Sequence, residues 1–350
     1  SGDSSLIQTV PDAQWLGTKD IHDGIVQIGS RADNIVVDDC KVENMKVNQA
    51  CVGPNGFSIF GGTRNRFVSC RAVAQCNMRY DATGAFYCGF FVCDSFGAPC
   101  LRPMLRYCEV DADGLTNHMY CDAFHVEGTP ASGNEGYGNL VYNPFIFMCS
   151  CNINHQSTYI ITGTRGGGVY YCRCRLVPID PNAIVFGFLI CSDVEVIATT
   201  IMDCISSNPP AGAFWCDGCN RFKILGCECN GRQSPLGTQS YGAGVLLYNY
   251  MGGNINGIVS HNTFANCVTG ISVGSGNHCI IGPNIFDPAT VGTTIADGSG
   301  ANLFDSVTRY GPGNPNGVVE GVLGDNYIDS GTNNVYQCVS YPRGTGWVAI

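Results

Sequence analysis

The segment CDAFHVEG (121–128) is the part of the chain best equipped for acid–base chemistry. Read as a strand, it sends Phe124 and Val126 inward, so that Ala123, His125 and Glu127 share the outer face. Residues two apart on a strand lie roughly 6.5–7 Å apart at Cα, within side-chain reach, and Asp122 stands at the strand's start. An imidazole beside a carboxylate titrates close to neutrality and can take up and return a proton. The Gly- and Asn-rich stretch 128–143 follows as a loop, where ligand contacts concentrate. Arg165, at the corresponding turn one repeat later, has the fork geometry to hold an acidic sugar. Asp122, His125, Glu127 and Arg165 are therefore the candidate catalytic set; an ordinary polar face beside a long loop is the other reading.

Glycoside hydrolysis needs two carboxylates about 5–9.5 Å apart. Aligning the repeats described below places Glu127, Thr162 and Asp217 in one outward column. Glu127 and Asp217 are then about three repeats, or roughly 14 Å, apart at the spacing of paired strands, too far for either mechanism. Trp215 and Asp217, extended by Tyr248 and Tyr250, instead suit a platform on which a sugar ring stacks; Trp215 as a partly buried packing residue is the alternative. The segment CDGCNRFKILGCEC (216–229) has a superficially zinc-like spacing, but Cys227 and Cys229 belong to the repeat's interior, so no metal is expected. His22, His118, His155, His261 and His278 lie beside turns without grouping. The turns YDATG (80–84) and DADG (111–114) carry Asp but form no regular calcium array. No cofactor is implied.

The elements that must position these residues come from an internal repeat. Two apolar residues, a short polar step, Cys or Asn, and another apolar position recur in VVDDCKV (36–42), FVSCRA (67–72), LRYCEV (105–110), FMCSCNI (147–153), YYCRCRL (170–176), ILGCEC (224–229), IVSHNTF (258–264) and IIGPNIF (280–286). A degenerate copy is VIATTIM (196–202). The anchors are Cys40, Cys70, Cys108, Cys151, Cys174, Thr200, Cys227, Asn262 and Asn284, separated by as few as 22 residues (262 to 284) and as many as 43 (108 to 151). Such drift excludes a fixed-length solenoid and suits a β-helix, whose turns can swell into loops. A second apolar run lies between anchors, as in AFHV (123–126), TYII (158–161) and AFWC (213–216), giving at least two strands per coil. The Cys-x-Cys pairs put both thiols on one face of a strand, forming interior columns.

Composition agrees. Hydrophobic residues make up 45% and charged residues only 13%, with 46 Gly, a turn-rich β profile without the Ala, Leu, Glu and Lys runs of amphipathic helices. The net charge of −10 argues against nucleic acid as a partner. No apolar run approaches the roughly 18–20 residues of a membrane span, so membrane insertion is not expected. Ser1 opens no secretory leader, and a processed or truncated start is allowed for. The 22 Cys sit largely in strand-like apolar runs and are expected to be reduced, buried thiols assembled in a reducing cytosol. The lack of any Asn-x-Ser/Thr sequon is in keeping with that.

The repeat, in coils such as NRFVSCRAVAQC, resembles the pectin-lyase-like right-handed parallel β-helices, particularly those of viral and phage tailspikes and fibres, over residues 30–290. The closing stretch GDNYIDSGTNNVYQCVSYPRGTGWVAI (324–350) resembles small modules at fibre tips. The resemblance implies an all-β, right-handed parallel β-helix of about nine to ten coils. Its expected divisions are an N-terminal cap over 1–32, the helix over 33–300 and a small β appendix over 301–350. It also implies a virion surface spike, homotrimeric, bound to other virion proteins and to cell-surface or capsular polysaccharide. The alternative within that superfamily is a polysaccharide lyase or glycoside hydrolase, secreted rather than virion-borne. The lyase and epimerase motifs of the superfamily are not found in the chain.

Overall fold

The structure is a computed structural model. It describes residues 5–8, 24–29, 32–43, 55–73, 87–95, 98–112, 120–130, 137–153, 157–176, 186–204, 212–231, 242–287, 289–298, 303–304, 308–316, 326–338 and 347–349. Among these residues there is no helix, and so none long and apolar enough to cross a membrane. The chain winds as a parallel β-helix. Three ten-stranded sheets run its length, and each coil gives one strand to each in turn. Face 1 holds strands such as Asn55–Phe60 and Tyr120–Glu127, face 2 those such as Arg66–Val68 and Phe145–Phe147, and face 3 those such as Arg71–Val73 and Ser150–Ile153. Every neighbouring pair within the three faces is parallel, as the alternating apolar pattern and short turns require.

Register stacks like on like. On face 1 the inward column runs Phe57, Phe91, Phe124, Tyr159, Phe186 and Phe214. The rings of Phe57 and Phe91 stack 4.7 Å apart with nearly parallel planes, and those of Phe124 and Tyr159 4.8 Å apart. One strand spacing thus sets one ring on the next, and offset-stacked aromatic pairs add about 0.5–1.5 kcal/mol each beyond area burial.

The corner between faces 2 and 3 explains the anchors. Asp39, Ser69, Tyr107, Met148, Tyr171, Ala198, Gly226 and His261 all occupy it in the left-handed region. Each donates its N–H to a carbonyl of the next coil, as Ser69 does to Arg106 and Tyr107 to Phe147. That bond offsets a conformational cost on the order of 1 kcal/mol per non-Gly residue. The next residue points inward, giving a ladder that is buried from Cys40, Cys70, Cys108, Cys149, Cys172, Thr199 and Cys227 to Asn262 and ends at the half-buried Asn284. The thiols of Cys70, Cys108 and Cys149 each lie near two backbone carbonyls, one in the coil before and one in their own.

Three expected anchors are corrected. Cys151 and Cys174 are not corner residues: they pair with Val110, with each other and with Ile201 in face 3. Thr200 starts the next strand, and Thr199 occupies the corner. The sequence offers two inward positions per Cys-x-Cys, and only the turn conformation tells which is the corner.

A parallel ladder stands at the corner between faces 1 and 2, where Thr164, Cys191, Cys219, Asn254 and Asn277 follow one another. Thiols give way to amides toward the C-terminal end of both. Asn254 donates from Nδ2 to the carbonyls of Cys216 and Tyr248, both at 2.9 Å, and its Oδ1 accepts the Cys219 N–H at 3.0 Å.

Within the stretch 1–32 the described strands pair with the stack. Ser5–Gln8 pairs in parallel with Cys40–Glu43, and Gly24–Ile28 with Asn55–Phe60, so these strands already belong to the solenoid. At the other end Leu303–Phe304 still pairs with face 2. A separate four-stranded sheet follows, built from Thr308–Gly311, Asn326–Asp329, Val335–Cys338 and Trp347–Ala349 and antiparallel in its last two pairings. Tyr327 and Trp347, with Tyr336, form its small core.

Candidate functional site

The face 1 strand Tyr120–Glu127 brings three of the expected residues together. Phe124 and Val126 enter the core, and His125 and Glu127 project outward, as alternation requires. Asp122 is in register with Gly89 and Ser157, small residues that leave room for its carboxylate to turn back. Its Oδ2 lies 2.8 Å from His125 Nδ1, and Glu127 Oε2 lies 3.0 Å from His125 Nε2. Ala123 departs from expectation: it is fully buried in the core cluster rather than on the outer face.

The clamp is closed. His125 is only 7% exposed, and its column neighbours Val92 and Ile160 are as deeply covered. Burial works against charge on the ring, but hydrogen bonds to Asp122 and Glu127, with their charges, outweigh it and raise the pKa to about 10. The imidazole is therefore protonated at neutral pH with both nitrogens engaged, and it has no lone pair with which to take a proton. Arg165 does not join it. That residue sits at the corner between faces 1 and 2, exposed, in register with Tyr142 in a short four-stranded sheet there.

The glycan platform is rearranged. Glu127, Thr162, Leu189, Asp217 and Tyr248 do form one column, three strand steps separating Glu127 from Asp217, in agreement with the alignment. Asp217, however, is buried, and its Oδ1 accepts the N–H groups of Tyr250 at 3.0 Å and Met251 at 2.9 Å. Burial raises its pKa against those two donors. It shapes the turn rather than facing a ligand. Trp215 and Tyr248 meet edge to face at 5.6 Å, half-buried, and the indole Nε1 of Trp215 is buried with no hydrogen-bond partner. Tyr250 alone of the four is widely exposed. Cys216, Cys219, Cys227 and Cys229 are all interior, and among the described residues no group of three or more His, Cys, Asp or Glu is placed to hold a metal. His22, His118, His155 and the turn 80–84 lie outside the described residues.

The sequence reading passed over a third surface. On the outer side of face 2, Phe145 and Phe147 stack at 5.5 Å, Tyr170 lies 5.0 Å from Phe145, and Tyr107 and Tyr171 meet Phe147 edge to face at 6.0 and 5.9 Å. Tyr107 is 44% and Tyr171 55% exposed, both at the left-handed corner. Arg106 lies over the Tyr107 ring at 4.6 Å. Alternation in FIF and VYY would have revealed it: Ile146 and Val169 are the inward residues, so Phe145, Phe147 and Tyr170 must point out.

No protein-family model matches the chain, and no curated protein matches it in sequence. Among solved structures, the crystal structure of tailspike protein 3 of bacteriophage CBA120 aligns over 92% of this chain at 9% identity, with a TM-score of 0.37. The chain spans 56% of that protein's length.

Proposed function

We propose that the chain is the shaft of a virion surface spike that holds a polysaccharide without cleaving it. The observation that carries this reading is the five-ring surface of Tyr107, Phe145, Phe147, Tyr170 and Tyr171 on the outer side of face 2. Sugar rings present flat apolar C–H faces that pack on aromatic rings, and a hydrogen-bonded sheet fixes such rings at little entropic cost on binding. The closed state of His125 and the turn-shaping role of Asp217 weigh against the lyase or hydrolase alternative. Free, buried thiols suit assembly in a reducing cytosol. Further copies of the chain, as a homotrimer, and other virion proteins are the partners this reading calls for.

Retention of the chain on immobilised cell-surface or capsular polysaccharides is the test. Retention with no release of reducing or unsaturated sugar ends is expected, and replacing both Tyr107 and Tyr171 by Ala should lower it at least about tenfold, the loss of roughly 1.4 kcal/mol. Release of sugar ends that His125→Ala abolishes would overturn the reading.

A further inference from the structure

The five rings of face 2 do not stand in a neutral setting. Arg66, Arg102, Arg106, Arg165 and Arg173 surround them, all exposed, in a chain whose net charge is −10. Arg66 is in register with Met104, and Met104 with Phe145. Arg102 occupies the corner on the far side of the same sheet, and its N–H donates to the carbonyl of Tyr142. Arg165 pairs with Tyr142 one coil on, and Arg173 follows Tyr171 past the other corner. The guanidinium of Arg106 stacks over Tyr107 and also faces Phe147 at 5.7 Å.

None of these five is in an ion pair among the described residues. The ion-paired cations nearby are others: Arg71 with Glu109 and Asp111, Arg221 with Asp193, and Lys223 with Glu195. Of the acids around the patch, Glu109, Asp111, Asp193 and Glu195 are thus engaged, Glu195 also accepting the Tyr170 hydroxyl at 2.9 Å, whereas Asp38 and Asp39 are exposed in the columns of Arg106 and Tyr107, two strand steps away. What remains is a stripe of five guanidinium groups outside direct ion pairs among the described residues, interleaved with aromatic faces, with Asp193 near enough to Arg165 to feel its charge. Arginine stacked on a ring can turn N–H groups outward to a carboxylate or sulfate, and at Arg106 one of them, on Nη2, already donates to the Tyr107 hydroxyl at 2.9 Å.

We infer that the ligand of face 2 is an acidic polysaccharide, its sugar rings resting on the aromatic side chains and its carboxylate or sulfate groups held by Arg66, Arg102, Arg106, Arg165 and Arg173. This rests on the glycan-holding reading above and narrows it. Tyr107 and Tyr171 stand two strand spacings apart, roughly 9.6 Å, so a chain lying along the rod axis meets aromatic and cationic side chains repeatedly. A nucleic acid fits less well. Its charge density, about one per 1.7 Å of duplex axis, would be set against the net negative charge of the chain, and the rings pack on one another and leave no slot for a base. A second copy docking through this face would set arginine against arginine.

The test measures binding of the full chain to uronate-containing, sialylated and sulfated polysaccharides. Carboxyl-reduced or desulfated forms of the same polymers, a neutral dextran and a single-stranded oligonucleotide are the comparators. Expected are binding to at least one acidic polymer, at least about tenfold weaker binding of its neutralised form, and a fall in affinity with added salt. Replacing Arg66, Arg102 and Arg106 by Ala should remove the preference for the acidic form, whereas Tyr171→Ala weakens both forms. Equal binding of acidic and neutralised polymers, unchanged in the arginine variant, would overturn this inference and leave the glycan reading standing. Binding to no polysaccharide would bring down both. Tighter binding to the oligonucleotide, or self-association lost in Tyr171→Ala, would likewise overturn the inference.

Discussion

At the residue scale, His125 shows how far pattern reaches. That His125 and Glu127 would meet was legible, because a strand puts positions two apart on one face; the contact with Asp122 was not, since it lies three positions away and its carboxylate must turn back to the ring. That the imidazole would be dry was not, since nothing in CDAFHVEG shows that Val92 and Ile160 flank it from the coils on either side. Burial converts a would-be base into a structural cation. Because its folded pKa of about 10 stands above the ordinary 6.5, the clamp contributes stability that is fully present below about pH 6.5 and is lost as pH rises through 10. Urea midpoints measured from pH 6 to 10.5 should fall with rising pH in the native chain and lose most of that slope in His125→Gln. The variant leaves the buried carboxylate of Asp122 and the half-buried one of Glu127 without their cation and should cost about 3 kcal/mol at pH 7. Asp217 carries the complementary lesson: an acid beside a Trp reads as a ligand contact until the turn of Tyr250 and Met251 is seen folding onto it.

At the scale of the element, the repeat was legible and its phase was not. The apolar alternation and the Cys and Asn anchors revealed the coils, but of the corner residues Asp39, Ser69, Tyr107, Met148, Tyr171, Ala198, Gly226 and His261 only one is Gly, so no turn residue marked the bend. Cys151 and Cys174 were therefore placed one inward position too early in the turn. Packing between neighbouring coils is just as specific. Gly257 follows Phe222 in its column on face 2, and a β-carbon at Gly257 would run into the Phe222 ring. Gly257→Ala should destabilise the protein by roughly 1–3 kcal/mol, read as a lower denaturation midpoint. Pairing it with Phe222→Leu should recover part of the loss, and no recovery would count against this contact.

At the scale of the whole molecule, the interior is a store of thiols. The sixteen cysteines whose side chains are described are all buried, and none of them is in a disulfide. Burial pushes the thiol of Cys279 up to about 11 and that of Cys227 to about 12, so both are protonated and poorly nucleophilic at neutral pH. A thiol reagent should leave these sixteen unlabelled in the native chain and reach all of them in denaturant, with the melting temperature unchanged by reductant. Fewer than sixteen reactive thiols in denaturant would contradict this interior.

The two corner ladders give the rod a direction. At the corner between faces 2 and 3 the seam around Cys70, Cys108 and Cys149 is fastened by sulfur, a weak donor and weak acceptor, whereas farther along it Asn262 and Asn284 clasp the coil before them, accepting from its N–H and donating to its carbonyl. The seam therefore has a soft end and a hard end. A tug along the axis would unzip it from the sulfur side, with the amide-stitched coils the last to let go.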